Sequence, residues 1–155
     1  MFVRGVALCL SLAASSAALG GVAGHAGLFG NAPDLARFAE CLLQTGATHT
    51  GRDQSVFTSD VIGEFLRPET MLAGNGWTLG WSRPDAFASA GRYFSPFARG
   101  HLGYTGTSLW IDFARKMYVI ILTNRVHPSR DRQGITTFRA TVHDTIFEHY
   151  RGPAW

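Results

Sequence analysis

The chain has 155 residues, of which 46% are hydrophobic and 16% charged, and its formal net charge is +3. This length and composition suit a globular domain that buries a core, and they exclude an intrinsically disordered chain. Four arginines, Arg125, Arg130, Arg132 and Arg139, are the nearest approach to a basic patch. We interpret them as solvated surface and predict no nucleic-acid partner, because no basic run or nucleic-acid-binding motif accompanies them.

The cysteines and histidines show no metal-binding or redox pattern. Cys9 and Cys41 form no Cys-x-x-Cys pair, and no His-Glu-x-x-His motif occurs. His143 and His149 are six residues apart on a predicted helix and therefore point to different faces. The sequence predicts no metal site and no cofactor.

The first 19 residues leave two interpretations open. One arginine, an apolar stretch and a run of small residues outline a secretory signal peptide, with cleavage after Ala17. The apolar stretch is too short to span a membrane. A signal peptide predicts a periplasmic or secreted protein, whereas a leader that is not native to the domain predicts a cytoplasmic one. The predicted domain occupies residues 20–155.

Two helices are predicted next. Asn31 can cap the first helix, whose apolar stripe ends before Thr45 and Gly46. Its members are Leu35, Phe38, Ala39, Leu42 and Leu43. Ser59 can cap a second, short helix that ends before Pro68. The apolar face of that helix consists of Val61, Ile62, Phe65 and Leu66.

The remaining pattern predicts three strands and a last helix. Trp77, Leu79 and Trp81 alternate as in a strand, and a long loop over residues 82–99 follows. Residues 104–111 and 116–123 are predicted strands joined by a hairpin turn at 112–115. The apolar run at 119–122 predicts a central strand, buried on both faces.

Residues 132–150 are predicted to form the last helix. Its buried stripe consists of Ile135, Phe138, Val142 and Ile146. The order of elements predicts an α+β fold, in which helices cover an antiparallel sheet on one or both faces.

No catalytic set is complete in this sequence. No serine is followed three residues later by lysine, and no Gly-x-Ser-x-Gly elbow occurs. The chain therefore contains no recognisable nucleophile.

Three segments, together with the terminal helix, resemble a known family. GGVAGHAGLFGNAPDLARFA, LGWSRP and AGRYFSPFARGHLGYTGTSLWIDFARKMYVIILTNRVHP are similar to the C-terminal half of β-lactamase-related serine hydrolases. That group includes class C β-lactamases, D-alanyl-D-alanine carboxypeptidases and related esterases. The resemblance covers residues 18–150 and implies part of the transpeptidase-like fold of serine β-lactamases and penicillin-binding proteins. It also implies hydrolysis of amides or esters, such as β-lactams, D-alanyl peptides or small esters, through an acyl-serine.

The family has three site motifs, and this sequence contains the third. Ser-x-x-Lys and Tyr-x-Asn are absent, whereas His101-Leu102-Gly103 matches His-x-Gly. The resemblance implies that His101 orients a substrate carboxylate or assists proton transfer, and that Gly103 gives the substrate clearance. It implies that the Tyr104 amide is an oxyanion donor.

The register of this motif leaves an alternative open. Tyr104-Thr105-Gly106 also fits the pattern, and it would make the Thr107 amide the donor. The resemblance implies that Gly103, Thr105 and Gly106 bind the substrate. His25, in GHAGLF, is a weaker candidate that the resemblance places near the floor of the site.

Three interpretations of the chain's function follow. In the first, it is the C-terminal part of a serine hydrolase, inactive alone, whose small amide or ester substrate needs an N-terminal half. In the second, it is a secreted, non-catalytic module that binds a complementary partner or self-associates through an uncovered sheet edge. In the third, it is a truncated gene product without a function.

Overall fold

The computed structural model describes residues 18–21, 23, 28–44, 57–67, 76–84 and 88–150. Most of the predicted leader, the loop at 46–56 and His25 lie outside the described residues. Within the described part, three helices are named in chain order: α1 (Ala32–Gln44), α2 (Ser59–Leu66) and α3 (Ile135–His149). A short 3-10 helix (Ala88–Ala90) precedes the sheet.

The sheet is antiparallel and consists of β1 (Ala98–Leu102), β2 (Ser108–Asp112) and β3 (Met117–Ile121), in that spatial order. Trp110 of β2 lies opposite Gly100 of β1 and Val119 of β3. Helices and an antiparallel sheet in one unit confirm the α+β prediction.

Helices cover both faces of this sheet because apolar side chains alternate along β2 and β3. Trp110, Val119 and Ile121 belong to one buried cluster, against which residues of α3 pack. Leu109 and Ile111 belong to a second cluster with residues of α1. β2 pairs with a strand on each side and is the centre of the described sheet, and every one of its residues is buried.

Gly100 allows β1 to lie under the largest core side chain. A β-carbon at this position would overlap the Trp110 indole ring, which is fully buried. The β1 segment, ARGHL, lacks the β-branched residues typical of strands. Its extended conformation follows from pairing with β2.

Two of the predicted strands require correction. Residues 77–81 do not form a strand, because Gly76 and Gly80 adopt left-handed backbone conformations. Single bridges join Trp77 to Ser82 and Ser82 to Gly100. The first strand is instead residues 98–102, which begins at the end of the loop predicted over 82–99. β2 begins at Ser108 rather than at residue 104.

The prediction that residues 119–122 form the central strand was wrong for the described sheet. β3 pairs with β2 on one side, and no described strand pairs with its other side. Its apolar sequence arises because Val119 and Ile121 contact one cluster while Tyr118 and Ile120 contact the other. Burial of both faces does not determine where a strand lies within a sheet.

The helix predictions were closer, with two errors. Asn31 caps α1 as predicted, with its side chain accepting from the Asp34 amide at 3.0 Å. Thr58, rather than Ser59, caps α2, because its hydroxyl accepts from the Val61 amide.

On α3, Phe138 is 47% exposed, whereas Arg139 and His143 are buried. Val142 and Ile146 of the predicted stripe pack against the core as expected. The buried side also includes Arg139 and His143, which bind main-chain carbonyls. None of the described helices has the length and apolar character needed to cross a membrane.

Candidate functional site

The residues that the sequence identified lie at the end of β1 and in the turn that follows. His101 is the fourth residue of β1, and residues 103–107 connect β1 to β2; we call them the 103–107 turn. His101 and Tyr104 are exposed, whereas Thr105 and Gly106 are buried. His25 lies outside the described residues.

His101 has an aromatic neighbour from an earlier segment. Ser82 and Gly100 exchange two main-chain hydrogen bonds, of 2.7 and 3.0 Å, and these bonds hold residues 77–82 beside β1. The Trp77 and His101 rings then meet edge to face, with centroids 5.6 Å apart. The imidazole therefore has one packed side and one exposed side.

The outer edge of β1 is open next to His101. The Gly100 main chain bonds to Ser82, away from β2, so the N–H and C=O of Leu102 point to that same outer side. No described residue bonds to these two groups. An extended, peptide-like ligand could pair with this edge.

The carbonyls of the 103–107 turn are all engaged. The turn closes through Gly103 N–H to the Thr107 carbonyl at 2.7 Å and Gly106 N–H to the Gly103 carbonyl at 3.0 Å. The Thr123 hydroxyl donates to the Gly106 carbonyl at 2.9 Å. Most of the other hydrogen bonds to carbonyls of the turn come from two arginines, Arg125 and Arg139.

Arg125 holds the middle of the turn. Its Nε donates to the Tyr104 carbonyl at 2.7 Å, and its main-chain N–H donates to the Thr105 carbonyl, also at 2.7 Å. The guanidinium lies over the Tyr104 ring, 4.6 Å from the centroid, which is cation–π geometry.

Arg139 of α3 holds both ends of the turn. Its Nη2 donates to the Gly103 carbonyl at 2.8 Å and to the Thr107 carbonyl at 2.6 Å, and its Nε donates to the Gly106 carbonyl at 3.2 Å. The residue is 4% exposed. Burial, together with the nearby charge of Arg125, lowers the pKa of Arg139. The interpretation of Arg139 as solvated surface was therefore wrong.

Three amides of the turn remain available. The N–H groups of Tyr104, Thr105 and Thr107 have no acceptor among the described residues. Because two guanidinium ions bind the carbonyl side, the amide side of the turn is suited to bind a negatively charged oxygen. Tyr104 is the donor in the His101 register, and Thr107 is the donor in the alternative one. The first register places His101 and Leu102 on a strand, whereas the second lies wholly within the turn.

Contacts within the protein explain why residues 103 and 106 of the turn are glycines. A β-carbon on Gly103 would overlap the Thr107 hydroxyl, and Gly106 has a φ of +113° beside the Thr123 side chain. Packing within the turn is therefore enough to require glycine at position 103. The role of Gly103 in giving the substrate clearance stays a prediction.

Sequence reasoning missed Arg125 and Arg139 as parts of this site. Arg139 follows Ile135 by one helical turn and precedes His143 by one, so its spacing on the buried side was a usable signal. For Arg125 no local pattern pointed to the turn, because the contact depends on how the chain returns after β3.

Other buried ionisable groups stabilise the fold. Asp112 accepts from the Ser95 amide at 2.8 Å, the Ser95 hydroxyl at 2.7 Å and the Arg115 guanidinium at 2.8 Å. Asp112 also accepts from the Ala114 and Arg115 amides, both at 3.1 Å, and these bonds close the β2–β3 hairpin turn predicted at 112–115. Within the described residues, no group of three or more His, Cys, Asp or Glu is arranged to hold a metal ion.

Known proteins of one family match most of the chain. A family model described as Beta-lactamase matches residues 4–144. Putative D-alanyl-D-alanine carboxypeptidases of Salmonella typhi and Salmonella paratyphi B are each 34% identical over 111 residues. Each match covers 70% of this chain and 25% of the relative.

A solved structure shares the fold. The crystal structure of a beta-lactamase from Mycobacterium bovis superposes with a TM-score of 0.58 at 22% identity, over 80% of this chain and 46% of that one. The chain thus spans a quarter of the length of the curated relatives and about half of the solved neighbour.

Proposed function

The chain belongs to the beta-lactamase family, and from this premise we propose that β1 and the 103–107 turn form one wall of an acyl-transfer site. The reaction is hydrolysis of an amide or ester through an acyl-serine, with D-alanyl peptides, β-lactams or small esters as substrates. Similarity to putative D-alanyl-D-alanine carboxypeptidases supports the peptide class.

The observation that carries this proposal is the free Tyr104 amide on a turn whose carbonyls are all bound. An oxyanion donor must point in a fixed direction before charge develops, since its benefit depends on preorganisation. His101 lies three residues before it and exposes its imidazole beside the open β1 edge. In this arrangement the edge aligns the substrate backbone and His101 binds its carboxylate.

The nucleophile has to come from outside the 155 residues, because the sequence contains neither Ser-x-x-Lys nor Tyr-x-Asn. We therefore expect no acylation of this chain alone by a fluorescent penicillin or a p-nitrophenyl ester. A stoichiometric burst of labelling would contradict this expectation.

Ligand binding tests the wall itself. Titration of the ¹⁵N-labelled chain with N-acetyl-D-alanyl-D-alanine is expected to shift the amide resonances of His101 and Tyr104. Tyr104→Pro removes the donor N–H and should abolish the binding, whereas Tyr104→Phe keeps the amide and should retain it. Equal binding by both variants, or no shift at either residue in the wild type, would overturn the proposal.

A second candidate function is a partner-complementing module without catalysis. The observation that favours it is the outer edge of β3. Met117 and Val119 bond to β2 in this register, so the N–H and C=O groups of Tyr118 and Ile120 point outward, and no described residue bonds to them. Open apolar edges of this kind pair with other chains.

Sedimentation velocity over a concentration series distinguishes this second candidate. If a second copy covers the edge, the wild type forms a dimer as concentration rises. Ile120→Pro removes an outward N–H without removing a β2–β3 bond, and it should restore a monomer. A wild-type monomer at all concentrations would exclude self-association through β3.

A further inference from the structure

We propose that Arg139 is a positioning residue that sets the direction of the oxyanion-donor amide. The inference rests on the proposed function, in which the Tyr104 amide, or in the other register the Thr107 amide, is that donor. Arg139 does not touch the substrate in this arrangement; it acts through the peptide groups of the turn.

Peptide planarity connects Arg139 to Tyr104. The Gly103 carbonyl and the Tyr104 N–H belong to one planar trans peptide group, so they point in opposite directions. Arg139 Nη2 binds that carbonyl at 2.8 Å from inside the protein. The Tyr104 N–H is therefore directed away from Arg139, and no described residue accepts it.

The same relation holds at the second candidate donor. The Gly106 carbonyl shares its peptide group with the Thr107 N–H, and Arg139 Nε binds this carbonyl at 3.2 Å. The Gly106 N–H also binds the Gly103 carbonyl, and the Thr123 hydroxyl binds the Gly106 carbonyl. The Arg139 guanidinium is the charged donor that both carbonyls share. Its planar fork, with several N–H groups in a fixed geometry, is suited to bind both carbonyls at once.

Arg139 is not needed to close the turn. The main-chain bonds between Gly103, Gly106 and Thr107 already do so, and the Leu102–Ser108 pair continues the ladder. All hydrogen bonds of Arg139 in the described structure go to main-chain carbonyls. A buried cation is costly unless it is bound in this way, and here it adds positive charge behind the donor amides.

Backbone dynamics in the free protein test the proposal directly. In Arg139→Gln we expect the ¹⁵N order parameters of Tyr104 and Thr107 to fall from rigid values near 0.85 to below about 0.6. Arg139→Lys keeps the charge, but its three N–H donors lie on one nitrogen and do not form a planar fork, so it should give intermediate values. Arg92→Gln is the matched control, because Arg92 binds Asp144 on the same helix and does not contact the turn.

Hydrogen exchange at Trp110 and Val119 separates positioning from general stability. Both are core residues of the sheet, and we expect their protection to persist in Arg139→Gln. Unchanged order parameters at Tyr104 and Thr107 would overturn the proposal. Loss of protection at Trp110 and Val119 in both Arg139 variants would also overturn it, since the role would then be structural.

Ligand titration of the same variants separates this inference from the proposed function. If the wild type binds N-acetyl-D-alanyl-D-alanine, Arg139→Gln should weaken binding by about tenfold or more, the scale of one charge-assisted hydrogen bond. Unweakened binding would overturn the positioning role. If the wild type shows no binding, the proposed function fails, and the order parameters alone decide whether Arg139 orients the amides.

Discussion

Two ionisable residues, His143 and Asp112, are both fully buried but differ in how their polar atoms are satisfied. His143 Nδ1 donates to the Ser89 carbonyl at 3.1 Å, while its Nε2 is buried without a partner among the described residues. Burial therefore lowers the pKa of His143, with the nearby Arg139 contributing in the same direction. Burial also opposes ionisation of Asp112, but hydrogen bonds from Ser95 and Arg115 outweigh it and hold the Asp112 pKa below its usual value.

These shifts predict loss of stability in acid. Below its ordinary pKa of 6.5, His143 is protonated more readily in the unfolded chain, so the free energy of unfolding should fall between pH 7.5 and 5.5. One proton gives a slope of at most about 1.4 kcal/mol per pH unit. The stability that ionised Asp112 contributes is present above 3.8 and is lost as the pH falls further.

Urea unfolding at a series of pH values checks the prediction for His143. His143→Gln removes the titrating group, so its free energy of unfolding should depend less on pH between 7.5 and 5.5. An identical slope in the wild type and the variant would contradict the assignment.

At the scale of single elements, helix ends depend on which hydroxyl can reach a free amide. Thr58 is extended, with φ −78° and ψ 154°, so its side chain accepts from the Val61 amide at 3.4 Å. Ser59 is already the first helical residue of α2. Because Thr58 and Ser59 are adjacent and both carry a hydroxyl, either could be the N-cap as judged from the sequence. The backbone conformation shows that Thr58 is the cap.

Alanine substitutions test this cap. Thr58→Ala should lower the free energy of unfolding by about 1 kcal/mol, the usual cost of losing an N-cap. Ser59→Ala is the matched control and should change it by less than about 0.5 kcal/mol. The reverse order of effects, measured by chemical denaturation, would show that Ser59 is the cap.

At the scale of the whole molecule, the proposed site lies at one end of the sheet, and helices pack against both faces of that sheet. α3 contributes side chains to the core and Arg139 to the 103–107 turn, so one helix contributes to both. The proposed wall is therefore built from β1, the turn, the segment after β3 and α3. The 155 residues contain neither Ser-x-x-Lys nor Tyr-x-Asn, and they span 25% of the length of the curated relatives.

Local patterns in the sequence determined the types of elements and most of their positions. Asn31 as a cap, the hairpin turn at Asp112 and the last helix were predicted because each depends on neighbours a few residues away. The family relationship was also determined by sequence, since GHLGYTG and GHAGLF carry it in order. The predicted order of two helices, three strands and a helix matches the structure, but the strand predicted at 77–81 does not form, and the first strand is 98–102.

Tertiary structure decided what depends on distant partners. β1 is a strand because β2 pairs with it and Gly100 accepts the Trp110 ring. Arg139 is buried because three carbonyls, more than thirty residues away in sequence, face it across the core. A buried charge is stable where such acceptors converge, and their convergence is a property of the folded chain that no local sequence pattern records.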